Sequence, residues 1–128
     1  MRASLDTHVF LWWISDDPML SDRAREIIAD GRNELFFSAA SGWEISIKAG
    51  LGRLEVPEDL QRLIADQLSR NAFQSLPIYL GHALHTRSLP YHHRDPFDCI
   101  LISQAIFEEI RLLSVDPQIS RYPVEVVW

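Results

Sequence analysis

Cysteine is nearly absent. The single Cys99 leaves no intramolecular disulfide to form, a usage that suits a reducing compartment such as the cytoplasm. Long hydrophobic runs are missing as well. None approaches the roughly 18 apolar residues of a membrane-spanning helix, so no membrane association is expected. Met1-Arg2-Ala3-Ser4-Leu5 runs straight into an acidic residue without an apolar stretch, so no signal peptide is expected either. The chain has no glycine-rich phosphate loop, no Cys/His zinc pattern and no G-x-S-x-G elbow. Basic charge is in short supply, with 12 Lys and Arg against 18 Asp and Glu and a net charge of −6. That balance excludes a nucleic-acid coat protein, which binds through a basic surface. It does not exclude an enzyme that meets nucleic acid through metal ions. If four carboxylates share one site, two divalent cations offset their charge, and the acidity is largely local.

What is present suits one soluble domain over residues 1–128. The chain is 47% hydrophobic and 23% charged, enough to build a core without staples. No repeat, linker or low-complexity tract interrupts it. Short apolar runs alternate with helical segments. Ala3-Ser4-Leu5 reads as a strand, and Thr7 as the cap of a helix carrying Val9, Phe10, Trp12 and Trp13, broken at Asp16-Asp17-Pro18. Leu20-Ser21 opens a helix through Ile27 and Ile28 that ends at Gly31. Leu35-Phe36-Phe37 is a second strand. Ser38 caps a helix through Trp43, Glu44 and Ile47 that stops near Gly50 or Gly52. Leu60, Leu63, Ile64 and Leu68 mark an amphipathic helix over Glu58 to Ser69. Phe73 to Leu76 forms a third strand before Pro77, followed by a helix from Tyr79 to Arg87. Asp95-Pro96 begins a helix reaching about Glu109. Arg111 to Val115 is a fourth strand, and Val124 to Trp128 a fifth.

Strands separated by helices need crossover connections. The expected fold is therefore α/β, a mostly parallel sheet of four or five strands covered by helices on both faces. Ligands bind such sheets beyond the carboxyl ends of the strands. Asp6 directly follows the first strand and Asp116 the fourth. Glu44 lies on the helix after the second strand, sharing a face with Ser41 and Lys48, and Asp98 lies one turn into the helix opened by Asp95-Pro96.

Converging carboxylates repel one another unless a cation lies between them. Hard oxygen donors suit Mg²⁺ or Mn²⁺, and such a cation serves phosphodiester hydrolysis. Each acid has a plainer reading too. Asp6 and Asp116 can be turn or cap residues, Asp98 an acid favoured by the helix dipole, and Glu44 a solvated partner of Lys48. Asp95 reads as an N-cap with Pro96 at N1. The functional reading gains because all four acids fall at matching topological positions.

Other candidates carry less. His92-His93 can ligate a metal, but two adjacent histidines before a helix cap read first as solvated loop. His8 and His82 read as surface or packing residues, and Cys99 as core rather than nucleophile. Trp12, Trp13 and Trp43 can stack bases, but their helical setting reads first as core or interface.

Leu5-Asp6-Thr7-His8 with Leu11-Trp12-Trp13, Ser38 to Ile45, His93-Arg94-Asp95-Pro96-Phe97-Asp98 and Leu112-Leu113-Ser114-Val115-Asp116 together resemble the VapC-type PIN-domain toxins. The resemblance spans nearly the whole chain in order. It implies a three-layer α/β/α PIN-like domain, with Asp6, Glu44, Asp98 and Asp116 as metal ligands and catalytic residues, Asp95 as support, and Ser114 where many relatives carry Thr. It further implies a Mg²⁺- or Mn²⁺-dependent endoribonuclease acting on RNA such as tRNA or rRNA. Its members are toxins that form homodimers and are held by a cognate antitoxin in an apolar groove, for which Phe10, Trp13, Leu20, Leu60 and Leu63 are the candidates here. Two rivals are a PIN-like interaction module without turnover and an aspartyl-phosphate phosphohydrolase. The second needs an acid two residues after Asp6, where this chain has His8.

Overall fold

A computed structural model describes residues 1–90 and 95–128. Five strands form one sheet in the order β3-β2-β1-β4-β5, where β1 is Arg2–Leu5, β2 Glu34–Ser38, β3 Gln74–Leu76, β4 Arg111–Leu113 and β5 Val126–Val127. Every pairing is parallel. The chain builds outward from β1 to β2 and β3 on one side, then crosses back to place β4 and β5 on the other. The topological switch therefore falls between β1 and β4, where Ser4 pairs with Leu112 and Leu5 with Leu113.

Alternation along the strands sends side chains to two cores. Ala3, Leu5, Leu35, Phe37 and Leu113 pack with Val9 and Phe10 of α1 (Thr7–Ile14) and with Ala24, Ile27 and Ile28 of α2 (Asp22–Ala29). Phe36, Leu76 and Leu112 pack on the other face with Leu101, Ile102 and Ala105 of α6 (Pro96–Phe107). Helices on both faces of one parallel sheet make the expected three layers. The remaining helices are α3 (Ala39–Gly50), α4 (Leu60–Asn71) and α5 (Leu80–His85), the last followed by a short 3-10 turn over Thr86–Ser88.

The differences from the sequence reading lie at element ends. Asp6, not Thr7, caps α1, its side chain accepting from the His8 N–H. Asp59 caps α4, so that helix starts two residues later than the hydrophobic spacing suggests and runs on to Asn71. β4 stops at Leu113, because beyond it the Ser114 hydroxyl takes the Asp116 N–H in a local turn. Ser21, Ser38 and Asp95 cap their helices as read, with Pro96 opening α6.

Candidate active site at the carboxyl edge of the sheet

The carboxyl ends of all five strands share one edge, and the helices that follow β1 and β2 begin there. Asp6 is the first residue past β1 and is 5% exposed. Its Oδ2 accepts a 2.6 Å hydrogen bond from the Ser114 hydroxyl, just past β4. That hydroxyl in turn accepts from the Asp116 N–H at 3.1 Å. The Asp6–Ser114–Asp116 chain thus bridges the switch point. The second carboxylate oxygen of Asp6 accepts from the His8 N–H at 3.1 Å, with the His8 Nδ1 3.8 Å away. Burial alone would favour the protonated acid, but these contacts with His8 and Ser114 overcome it and hold the Asp6 carboxyl below its usual range. Asp6 reciprocally holds the His8 imidazole above its ordinary value, against its partial burial.

Glu44 reaches the same place from β2. Ser38 ends that strand and caps α3, which carries Ser41 and Glu44 on one face. The Thr7 hydroxyl donates to the Ser41 Oγ at 2.8 Å, which turns that face toward the start of α1 and hence toward Asp6. Glu44 is 3% exposed, and its Oε2 accepts from the Lys48 Nζ at 2.5 Å. Lys48 is therefore the partner of a buried acid and not half of a solvated surface pair. Asp98 is half-buried on the first turn of α6. The Trp43 and Phe97 rings, 4.8 Å apart and nearly perpendicular, set that turn beside α3. Asp116 is half-buried, and its Oδ1 accepts from the Gln118 N–H. Asp95 accepts from the N–H groups of Phe97 and Asp98, the geometry of an N-cap.

The structure thus ties Asp6 to Asp116 through Ser114, faces Glu44 toward Asp6 through Thr7 and Ser41, and sets Asp98 beside α3. Among the described residues, no three of the His, Cys, Asp and Glu side chains form a ready cluster for one ion. The donor chemistry nevertheless fits Mg²⁺ or Mn²⁺, which takes one or two carboxylates and fills its remaining positions with water and phosphate oxygens.

From sequence, Ser114 shows only as a hydroxyl where many relatives carry Thr, and His8 reads as a surface or packing residue; in the structure both are hydrogen-bonded to Asp6. A hydroxyl two residues before an acid, at the end of a strand adjoining β1, was the available signal. His92 and His93 lie outside the described residues. His82 is fully buried, accepting from the Tyr79 N–H and pairing through Nε2 with Glu108, so it packs α5 on α6. Cys99 is only partly buried and not in the core as the sequence reading expected; its partial burial and the neighbouring Asp98 and Asp95 raise the thiol pKa, which fits an unreactive side chain.

An open parallel α/β domain with buried acids at its switch point is the class that fold and site define. The PIN domain model matches residues 3–125, and the chain belongs to the PIN-domain family. Ribonuclease VapC16 of Mycobacterium tuberculosis is 36% identical to this chain over 67 residues, 52% of this chain and 48% of that protein, so the match spans about half the length of that relative. Two solved structures share the fold. VapBC2 from Rickettsia felis, bound to a DNA fragment from its promoter, aligns with a TM-score of 0.74 at 17% identity over 100% of this chain and 99% of that one. DNA-bound VapBC from Salmonella typhimurium aligns at 0.72 and 17% identity over 99% and 97%.

Proposed function

We propose that this chain is a metal-dependent endoribonuclease, the toxin member of a toxin–antitoxin pair. The observation that carries this reading is the ionised, buried Asp6, held by Ser114 and facing Glu44 at the switch point of a PIN domain. A carboxylate buried this deeply, with only the half-exposed His8 imidazole as a charge partner, is costly, and such groups concentrate at functional sites. Asp6, Glu44, Asp98 and Asp116 are the residues that would hold Mg²⁺ or Mn²⁺, which supplies charge neutralisation at the scissile phosphate and a more acidic water. The chain's own residues set the stage. Ser114 and the His8 N–H fix both oxygens of Asp6, so its carboxylate is presented in one orientation. Lys48 holds one oxygen of Glu44 and brings a cation to the edge of the site.

The reaction supported is hydrolysis by in-line attack of water, leaving a 5′-phosphate and a 3′-hydroxyl. Preference for RNA then comes from binding and shape, since the 2′-hydroxyl takes no part in bond making. End-group analysis of cleaved RNA tests this. A 2′,3′-cyclic phosphate, or cleavage that persists in excess EDTA, overturns it. Loss of all cleavage in a folded, Mg²⁺-loaded wild type would favour an interaction module.

The antitoxin partner has a candidate seat. A cleft of about 210 Å³ runs between α1, α4 and the 54–57 segment, lined by Leu11, Ile14, Leu54, Val56, Leu60 and Leu63, with fully buried Phe10 at its floor. Leu20 is 2% exposed in the core and the Trp13 N–H is tied to Asn71, so neither lines this cleft as the sequence reading expected. A separate apolar face of Tyr79, Leu80, Leu84 and Phe107, each more than half exposed, supports a homodimer. Among the described residues no helix is long and apolar enough to cross a membrane, and the cytoplasm is the compartment this role requires.

A further inference from the structure

A second cleft opens directly beside Asp6 and Glu44. It holds about 480 Å³, and Thr7, His8, Trp12, Asp17, Lys48 and Arg53 supply its polar and aromatic lining. Two of its walls start at the site acids. Thr7 and His8 follow Asp6 in the chain, and Lys48 is bonded to Glu44.

The two adjacent tryptophans differ in a way that bears on this cleft. Trp13 spends its indole N–H on Asn71 Oδ1, 2.9 Å away, and is a fixed part of the α1–α4 packing. Trp12 is half-buried, with its ring 5.9 Å from His8 and 6.0 Å from Trp128. Among the described residues its indole N–H has no acceptor, and the ring forms part of the wall of the cleft. On the other side, Gly52 at φ 72° makes a turn that returns the chain so that the Arg53 N–H donates to the Lys48 carbonyl at 2.9 Å. That turn brings Arg53 back to the cleft that Lys48 also lines. Arg53 is exposed, and among the described residues its guanidinium, like those of Arg23, Arg62, Arg70, Arg87 and Arg121, has no carboxylate partner; what sets it apart is its place in the wall of this cleft.

We propose that this cleft is a nucleotide subsite, taking the nucleotide that adjoins the scissile phosphate of a single-stranded RNA. The base lies against Trp12 and His8, and its phosphate meets Arg53 and Lys48. Aromatic faces bind unstacked bases with little sequence demand. A planar guanidinium matches phosphate oxygens in a bidentate fork. Asp17, the acid of this lining, repels phosphate and leaves the Lys48–Arg53 side as the place for it. A protein of net charge −6 needs such a local cationic wall to hold a polyanion close to its acids. This subsite deepens the ribonuclease reading and rests on it.

The test uses mononucleotides and RNA in parallel. The four tryptophans give four indole N–H signals in a ¹H–¹⁵N spectrum, and Trp12→Phe identifies that of Trp12. Adenosine 5′-monophosphate should move the Trp12 signal, adenosine should move it at higher concentration, and inorganic phosphate should leave it in place. Arg53→Gln should weaken the monophosphate roughly tenfold, the scale of one charge-assisted contact, while leaving adenosine unchanged. Arg70→Gln, at the far end of α4, should change neither. In RNA cleavage, Trp12→Leu and Arg53→Gln should each raise KM about tenfold. A Trp12 signal indifferent to the monophosphate, or an unaltered KM in folded Arg53→Gln with wild-type cleavage intact, overturns the subsite and spares the ribonuclease reading. A monophosphate response in a wild type that cleaves no RNA overturns the ribonuclease reading instead and leaves the nucleotide cleft standing.

Discussion

The two edges of the sheet use charge in opposite ways. At the amino edge Arg2 pairs with Glu34 at 3.1 Å and Arg111 with Glu125 at 2.9 Å, with side chains between 38% and 66% exposed. These pairs stand in water, where an ion pair contributes little. At the carboxyl edge Asp6, Ser38, Ser41, Glu44 and Ser114 are all buried, and each is held by at least one side-chain hydrogen bond. Burying such groups is costly and gains the fold little that apolar side chains would not supply. The contrast locates function. Charge that could be dispensed with sits where it costs nothing, and charge that is expensive to keep sits where the crossover opens a crevice.

The largest effect should come from breaking the expensive edge. Asp6→Asn keeps the size of the side chain and removes its charge. Cleavage of RNA should fall by several kcal/mol of transition-state stabilisation, roughly a thousandfold. Melting should rise with Mn²⁺ in the wild type and much less in the variant. Arg111→Gln, at the other edge, should leave the rate unchanged. Equal losses from the two variants would show that the buried acid is no more functional than the surface pair.

Asp95 and Asp98 sharpen the contrast within one helix turn. Asp95→Ala removes the acceptor for the Phe97 and Asp98 N–H groups and should cost about 0.5–2 kcal/mol in chemical denaturation. Asp95→Asn preserves the cap and should retain activity. Asp98→Asn should do the reverse, keeping the fold and losing cleavage. Asp95→Asn as inactive as Asp98→Asn would make Asp95 part of the site.

Much of this was legible in the sequence for a simple reason. Alternating strand and helix signals force crossovers, crossovers force parallel pairing, and the residue after each strand is then at the carboxyl edge. Asp6 and Asp116 could be placed by that reasoning alone, and the Ser38 and Asp95 caps by local chemistry. What could not be read is the set of partners. The Ser114–Asp6 bond joins residues 108 positions apart, and the Ser38–Gln104 bond, which ties β2 to α6, joins residues 66 apart. No local pattern encodes such pairs. The difference between Trp12 and Trp13 was hidden for the same reason, because it turns on Asn71, 58 residues away from Trp13. Lys48 showed its i,i+4 relation to Glu44, but not that the pair is sunk into the site, since burial depends on how α3 meets α1.

A smaller effect should follow pH in the metal-free protein. The Asp6 carboxyl is lowered in the fold, so its contribution to stability is present above its unfolded value near 3.9 and is lost as pH falls through the folded value. His8 is raised, so its contribution is present below about 6.5 and is lost as pH rises through the folded value. Each depends on the other. The gap in melting temperature between wild type and Asp6→Asn should be widest between about pH 4 and 6.5 and narrow on both sides. A gap that stays constant above neutral pH would mean that His8 does not support Asp6.

The smallest effects belong to the amino edge, where they can still be resolved by comparing two ends of one ion pair. Glu34→Gln removes only the charge facing Arg2, and stability should change by less than about 1 kcal/mol. The loss should vanish in 1 M salt, where screening acts over about 3 Å. Arg2 has a second contact, with its guanidinium 5.5 Å from the centre of the Phe36 ring. Arg2→Gln should therefore cost about 0.5–1 kcal/mol more than Glu34→Gln, and that excess should persist in high salt. Arg2→Lys separates the two, since it keeps the charge but loses the planar face that lies on the ring. If Arg2→Gln and Glu34→Gln cost the same at every salt concentration, the ring contact contributes nothing. A salt-resistant cost shared by both would instead show that the pair is shielded from water, and the contrast between the two edges would fail at its amino end.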